Sequence, residues 1–397
     1  MPGPLDGIRV IEMGQLLAGP YCGQLLADYG AEVIKIEQPG VGDPLRHWGR
    51  EKANGKALWW PIAARGKKSI TLNLREERGQ QIVRDLVADA DIMLENFRPG
   101  TMERWGLGWE RLHELNPGLI MVRVSGYGQS GPYSKRPGYA SVGEAMGGLR
   151  YVIGDPSTPP SRAGISIGDS LAAMFATLGA LAALRHRDQT GQGQVVDSSI
   201  YESVLAVMES VVPEYAIADF IRERTGAFLP NVAPSNVYPT KDGHMVLIAA
   251  NQDTLFQRLC EAMGRPELAE DPKYVDHVAR GDHQAELDAI IAEWTGTVDA
   301  EPLMDLLIEH SVAAGRIYRA PEMLDDPHFQ ARESIVTVPH PEFGDFPMQN
   351  IFPRLSQTPG EVQWVGPELG AHNQEVLGDL LGMSAEEIDD LRANDLI

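Results

Sequence analysis

Along the first third of the chain, apolar positions switch repeatedly between two periods. "IRVIEM" (8–13) and "EVIKIE" (32–37) concentrate β-branched residues over six positions, and in the second Val33, Ile34 and Ile36 alternate with charges; both predict strands. Between them "GPYCGQLLADYG" (19–30) carries apolar residues at helical spacing and ends on Gly30, which predicts a short helix with a glycine stop. Strand, helix and strand joined by short connections predict a β-α-β unit and a parallel, Rossmann-like sheet. The alternation continues through strand 69–74, helix 76–90, strand 91–97, a helix over 102–115 and strand 119–128.

Elsewhere the pattern changes. Residues 39–66 follow neither period and hold Trp48, Trp59 and Trp60, which fit either a lid or interface or aromatic packing beneath a long loop. "SRAGISIGDSLAAMFATLGALAAL" (161–184) predicts a helix over 169–184, whose apolar run stops at "RHRD" after about 15 residues, short for a bilayer and suited to a buried core helix. "TGQGQ" (190–194) predicts a turn, and 197–221 a second long helix with Pro213 as a kink. The turn-rich segment 224–244 reads as a linker into strand 245–251 and helices near 253–263, 285–294 and 301–310. Short strands follow from about 325, and then helical patterns at 373–382 and in "SAEEIDDLRANDLI". These elements predict an α/β protein: a Rossmann-like large domain over 1–200, a linker over 201–225, a smaller α+β domain over 226–325, and a return to the large domain over 326–397.

Composition refines this picture. With 397 residues and 43% hydrophobic content, the chain can bury a large core. Two cysteines, Cys22 and Cys260, provide no disulfide framework and suit a reducing compartment; with no secretory pattern at the N-terminus, a cytoplasmic location is expected. The net charge of −22 argues against nucleic acid as a partner. Its distribution is uneven: residues 1–150 hold 19 Lys and Arg against 17 Asp and Glu, the remainder 15 against 39. Cations kept in one half of an acidic protein suit an anionic ligand there, or else arise by chance. The turn after the first strand, "GQLLAGPYCG", lacks G-x-G-x-x-G, which argues against a dinucleotide.

The basic residues are Lys67 and Lys68 before a strand, Arg75 at its end, Arg98 and Arg104 around the next helix, and Lys135 and Arg136 in a loop. In a parallel sheet the C-terminal strand ends bind ligands, so these side chains suit a phosphate-rich molecule, though each alone is also an ordinary surface charge. "ENFRPG" (95–100) releases Asn96 and Phe97 from a strand into a turn, exposing an aromatic face for a base, or simply ending a strand. Asp169 stands at the mouth of an apolar helix, where an acid caps orphan amides. The same amides favour its anion, so cap and nucleophile are compatible roles.

With "PLDGIRVIEMGQLLAGPYCGQLLADYGAEVIKIEQPGVGDPLR", "KKSITLNL", "ENFRPGTMERWGLG", "SGYGQSGPYSKRPGY", "IGDSLAAMFATLGALAAL" and "TGQGQVVDSSIYES", the chain resembles the class III CoA-transferases and their α-methylacyl-CoA racemase and carnitine CoA-transferase relatives over nearly its whole length. The resemblance implies an interlocked homodimer with no metal and no tightly bound cofactor, using coenzyme A as cosubstrate. It implies that Asp169 attacks an acyl-CoA thioester, giving a mixed anhydride, then an aspartyl-CoA thioester, and finally the CoA ester of an acceptor acid. It also implies coenzyme A contacts at Leu16, Ala18, Leu72, Arg75, Asn96, Phe97, Arg98, Arg104, Arg136 and Tyr139. Backbone amides near Asp169 or at Gln15 are candidate donors to the thioester oxygen.

Departures narrow the activity. Formyl- and oxalate-type members carry a glutamine where Leu17 stands, an acid where Ala140 stands, and a glycine-run loop where this chain reads "GAFLPNVAPSN" (226–236). The racemase branch needs a histidine at the position of Tyr139, and no histidine occurs between His113 and His186. The expected activity is therefore CoA transfer from an acyl-CoA to a small carboxylic acid, with a dicarboxylate favoured. The alternatives are a 2-methylacyl-CoA epimerase and a non-catalytic acyl-CoA-binding protein. Acid selectivity is expected in loops 39–66 and 224–240.

Overall fold

The computed structural model describes residues 3–49 and 51–397. Two compact units divide the chain. The larger runs to Leu149 and takes in Ala163–Val212 and Ala331–Ile397; the smaller comprises Arg150–Arg162 and Pro213–Gln330.

In the larger unit six strands form one parallel sheet: β1 (Arg9–Glu12), β2 (Glu32–Glu37), β3 (Lys67–Thr71), β4 (Ile92–Glu95), β5 (Ile120–Ser125) and β6 (Val195–Ser199). Their order is β3-β2-β1-β4-β5-β6, the doubly wound arrangement. Strand order reverses between β1 and β4, where a crevice opens beyond the carboxyl ends of both. Glu12 and Glu95 end these strands, so segments 13–17 and 96–100 lie at that crevice.

Alternation along each strand sends successive residues to opposite faces. Ile11, Ile34, Ile70, Met93 and Met121 pack against helix α2 (Glu77–Ala88) and the C-terminal helix Ala385–Ala393. Val10, Val33, Leu94 and Val122 pack against helix α1 (Ala18–Asp28) and the long helix α3 (Ile167–Thr190). Ala172, Ala173, Ala176, Ala180 and Ala183 line the buried side of α3, and their small side chains let it lie close to α1 and the sheet. Met174, Leu178 and Leu181 remain exposed on its other side. The expected buried core helix is thus half-buried, and at 24 residues it outruns its apolar segment.

Edge strand β3 is covered by the returning C-terminal segment: the Ser69 N–H donates to His372 Nδ1 and the Thr71 N–H to Asn373 Oδ1. This strand begins two residues before the expected 69. Lys67 and Lys68 are strand residues rather than its flank, and Lys67 is fully buried, its ammonium 2.7 Å from Glu12 and 2.6 Å from the Pro20 carbonyl.

Other expectations also shift. The helix over 102–115 is two short ones, Thr101–Arg104 and Trp109–Leu115, separated where Gly106 adopts φ 63°. The helix expected over 197–221 starts as strand β6 and continues as helices Ile200–Leu205 and Val211–Ala218. The expected linker 201–225 therefore holds helices, and the smaller unit also takes in Arg150–Arg162.

By itself the smaller unit is α+β. Ser235–Pro239, Met245–Ala249 and Ala314–Arg316 form an antiparallel sheet. Helices Asp253–Ala262, Gln284–Thr295 and Ala300–Glu309 close its core through Phe256, Leu259, Leu287, Ile291, Leu303 and Leu307. Ser235–Pro239 lies within the stretch expected to be a linker.

Candidate functional site

At the crevice, segment 14–17 leaves β1 under unusual constraint. Asn96, leaving β4, takes the Gln15 N–H on Oδ1 at 2.8 Å and returns a hydrogen bond from Nδ2 to the Gln15 carbonyl at 2.8 Å. This reciprocal pair joins the two rims of the crevice. Glycine suits this crossing: a Cβ on Gly14 would lie 3.1 Å from the Gly19 Cα, and one on Gly19 would lie 3.2 Å from Asn96 Cγ, so either would push its neighbour back by a few tenths of an ångström.

Gln15, Leu72, Arg75 and Phe97 line a single cleft of about 180 Å³, together with Trp105 and the ends of β1 and β2. Three residues nominated as coenzyme A contacts thus meet, at the C-terminal strand ends, with Gln15, nominated as a donor to the thioester oxygen. Phe97 is half-buried and stands edge-on to Trp105 at 5.1 Å, so part of its aromatic face is already engaged. Its N–H donates to Glu95, whose carboxyl is pushed up by burial against the opposing charge of Arg123. Ala18 is buried in the first turn of α1. Arg98 and Arg104 are exposed at the short helix that follows the β4 turn, with Arg104 donating to Thr101 Oγ1. Arg136 is exposed with its guanidinium 3.5 Å above the Tyr133 ring, and Tyr139 is 62% exposed. Arg98, Arg104, Arg136 and Tyr139 do not line the cleft.

A second cavity, about 420 Å³, opens beside the N-terminal end of α3. Leu16, Leu17, Tyr21, Trp59, Ile165, Ser166 and Ser170 line it, with Asp28 and Arg65 also in its wall as a bidentate buried ion pair at 2.8 and 2.7 Å. Burial, reinforced by the Asp28 charge, pushes the Tyr21 phenol up. Asp169 is half-buried in the first turn of α3, between Ser166 and Ser170 in sequence. Trp59 belongs to this wall, while Trp60 packs beneath the loop and donates to the Pro367 carbonyl at 2.9 Å.

Two amides considered for the thioester oxygen are already engaged. The Gln15 N–H goes to Asn96, and the Gly168 N–H goes to Glu144 Oε1 at 3.2 Å. Glu144, only 1% exposed on helix Ala140–Met146, serves the mouth of α3 from another element. The sequence reading missed Glu144, Asp28, Arg65 and Tyr21. Only the acid in "GEAMGG" could have signalled Glu144, since an ionisable group on an otherwise apolar stretch implies a partner. Among the described residues, no group of three His, Cys, Asp or Glu could hold a metal ion.

Comparison with known proteins identifies the family and agrees with the fold. The family model described as CoA-transferase family III matches residues 5–373. Succinyl-CoA–D-citramalate CoA-transferase of Chloroflexus aurantiacus is 61% identical over 396 residues, covering 100% of this chain and 98% of its own. The alpha subunit of succinyl-CoA–L-malate CoA-transferase from the same organism is 44% identical, covering 99% and 92%. The crystal structure of a CAIB/BAIF family protein from Brucella suis superposes with a TM-score of 0.86 at 32% identity, covering 96% of this chain and 100% of that one.

Proposed function

The chain belongs to family III of the CoA-transferases, and from that premise we propose that it moves coenzyme A from succinyl-CoA to a small hydroxylated dicarboxylic acid, with Asp169 as covalent nucleophile. The observation carrying this reading is the place of Asp169 in the first turn of α3, flanked by residues that line a cavity whose wall includes Leu16. The next residue along, Gln15, lines the cleft with Leu72, Arg75 and Phe97. A CoA tail lying along that cleft, with its thioester reaching past segment 14–17, meets the carboxylate. Relatives named for succinyl-CoA with D-citramalate and L-malate support the donor and the class of acceptor.

In this mechanism an Asp169 oxygen adds to the thioester carbonyl, the C–S bond breaks, and the CoA thiolate leaves a succinyl-aspartyl anhydride. The thiolate then attacks the aspartyl carbonyl, releasing succinate and forming an aspartyl-CoA thioester. The acceptor carboxylate displaces the thiolate to form a second anhydride. The thiolate recaptures the acceptor acyl group and regenerates Asp169. Every step exchanges one activated acyl bond for another, so the thioester free energy is retained as long as water stays out. Leu16, Ala18, Asn96, Arg98, Arg104, Arg136 and Tyr139 are assigned to the coenzyme A path by the family motifs, Asn96 acting through its hold on Gln15.

Intact-mass measurement tests the reading. Succinyl-CoA is expected to leave a CoA adduct that hydroxylamine removes, and Asp169→Ala is expected to lose the adduct and at least about 10³-fold in transfer rate. A wild-type rate in Asp169→Ala overturns it. We also infer a homodimer, supported by exposed Met174, Leu178 and Leu181 on α3, and checked by light scattering at twice the chain mass. A cytoplasmic location is supported by two free, buried cysteines whose thiols burial pushes up to about 12, and cell fractionation checks it.

A further inference from the structure

Beneath the segment that parts the two cavities lie four buried charges: Glu12, Lys35, Asp43 and Lys67, each at most 2% exposed. Sheet register places Glu12 on β1 opposite Lys35 on β2. The Lys35 ammonium lies 2.8 Å from Glu12 and 2.9 Å from Asp43, and the Lys67 ammonium 2.7 Å from the other Glu12 oxygen. Two amines face two carboxylates; at Lys67 burial outweighs the Glu12 charge and holds that amine below the ordinary lysine value. Burial works against the Lys35 charge, but Glu12 and Asp43 more than offset it and hold that ammonium above the ordinary lysine value.

Such a cluster is a poor device for stability alone, because desolvating four ions roughly cancels their attraction and an apolar set of equal volume packs as well. What it adds is direction. Lys35 donates to the Gly14 carbonyl at 2.7 Å, and Asp43 accepts the Leu16 N–H at 3.0 Å. Asn96 grips Gln15 between them. Three consecutive backbone units are therefore held by three side chains from three different segments. Leu16 is held at φ 63°, a left-handed conformation that disfavours a residue with a Cβ by about 1–2 kcal/mol. In that conformation Gln15 lines the cleft and Leu16 lines the cavity beside α3.

We propose that Glu12, Lys35, Asp43 and Lys67 form a positioning device that fixes segment 14–16 as the partition between the coenzyme A cleft and the cavity at the N-terminal end of α3, and that this partition keeps water from the activated acyl group. The proposal rests on the transferase reading above. None of the four is a catalytic residue; Lys35 and Asp43 act through the backbone they hold, and Glu12 and Lys67 act by holding Lys35 in place. A loosened partition admits hydrolysis, in which water adds to the thioester carbonyl, the C–S bond breaks, and the CoA thiol leaves with a proton.

The test compares the wild type, Asp43→Asn and Leu16→Pro with succinyl-CoA and citramalate, measuring KM for succinyl-CoA and the ratio of CoA ester formed to free thiol released. Asp43→Asn keeps an oxygen for the Leu16 N–H but removes the charge facing Lys35. It is expected to raise KM and lower the transfer-to-hydrolysis ratio, each about tenfold or more, since small misplacements at a reacting centre reach about 10²-fold. If Asp43→Asn fails to fold, Leu16→Pro decides: it leaves the four charges intact, but proline cannot adopt a positive φ and has no N–H to donate. The same fall in ratio is expected. Asp253→Asn, which removes the charge 2.7 Å from buried Arg280 in the smaller unit, is the control that loses stability and keeps the ratio. A folded Asp43→Asn or Leu16→Pro with KM and ratio within about twofold of wild type overturns the proposal. So does an equal fall in Asp253→Asn, which would make the ratio a mere readout of instability. Wild-type protein that transfers nothing would instead defeat the transferase reading itself, and this proposal with it.

Discussion

Each of the two units buries charge, and the two do so on opposite plans. In the smaller unit Arg280 is wholly buried, its guanidinium donating to the carbonyls of Ala233, Tyr274 and Asn251 at 3.1, 3.0 and 2.8 Å and pairing with the Asp253 carboxylate. The Phe256 ring lies under it at 4.8 Å. One planar cation thereby ties together three loops that would otherwise leave buried carbonyls unpaired. In the larger unit four charges neutralise one another, and two of them reach outward to a loop bordering two cavities. Buried charge by itself therefore does not mark a functional site. The distinguishing feature is whether the backbone it holds forms the wall of a cavity.

The largest expected effect tests the plan of the smaller unit. Arg280→Leu leaves three carbonyls without a donor and Asp253 without its partner, and should lower stability by roughly 3–5 kcal/mol, read by denaturant unfolding. Its transfer-to-hydrolysis ratio, measured per folded molecule, should match the wild type. A fall in that ratio comparable to that of Asp43→Asn would erase the contrast between the two regions.

The sequence made one side of this contrast visible. Five of the six sheet strands were legible because β-branched runs alternate with amphipathic helices. Strand β6 was not: it pairs only with β5 at the sheet edge, and "VVDSS" runs straight into a helix, so the helical pattern absorbed it. At the site, Arg75 and Phe97 could be nominated because they follow strands of a parallel sheet, whereas Leu72 and Gln15 were nominated only through the resemblance to the family. Asp43 and Glu144 could not be nominated. Asp43 caps the turn Pro44–Arg46 by accepting the Leu45 N–H, so its local pattern is complete without the Leu16 bond 27 residues away. Glu144 bonds Gly168 across 24 residues, and no local period encodes that distance. Long-range side chain to backbone bonds of this kind are set by packing, which a pattern of apolar positions does not specify. The same gap explains Lys67: its position beside Lys68 suggested a solvated cation, whereas Glu12 and Pro20 draw it inside.

A smaller change sharpens the contrast by its sign. Gly23 lies in the middle of α1, and replacing a helical glycine with alanine ordinarily stabilises by about 0.5–1 kcal/mol. Here a Cβ would stand 2.0 Å from Glu12 Oε2 and 3.0 Å from Glu12 Cδ. Glu12 cannot swing aside cheaply, because Lys35 holds one of its oxygens and Lys67 the other. Gly23→Ala should therefore destabilise by about 1–3 kcal/mol, the range for overpacking a rigid interior. It should also lower the transfer-to-hydrolysis ratio, by less than Asp43→Asn, because the displaced Glu12 reaches segment 14–16 only through Lys35. Thermal unfolding and the product ratio, taken on the same preparation, separate the outcomes. If Gly23→Ala is more stable than the wild type with an unchanged ratio, Glu12 has room to adapt, and the four charges are packing of the same kind as Arg280. If it is less stable and more hydrolytic, the helix, the buried carboxylate and the partition act as one connected unit, as the distances among them require.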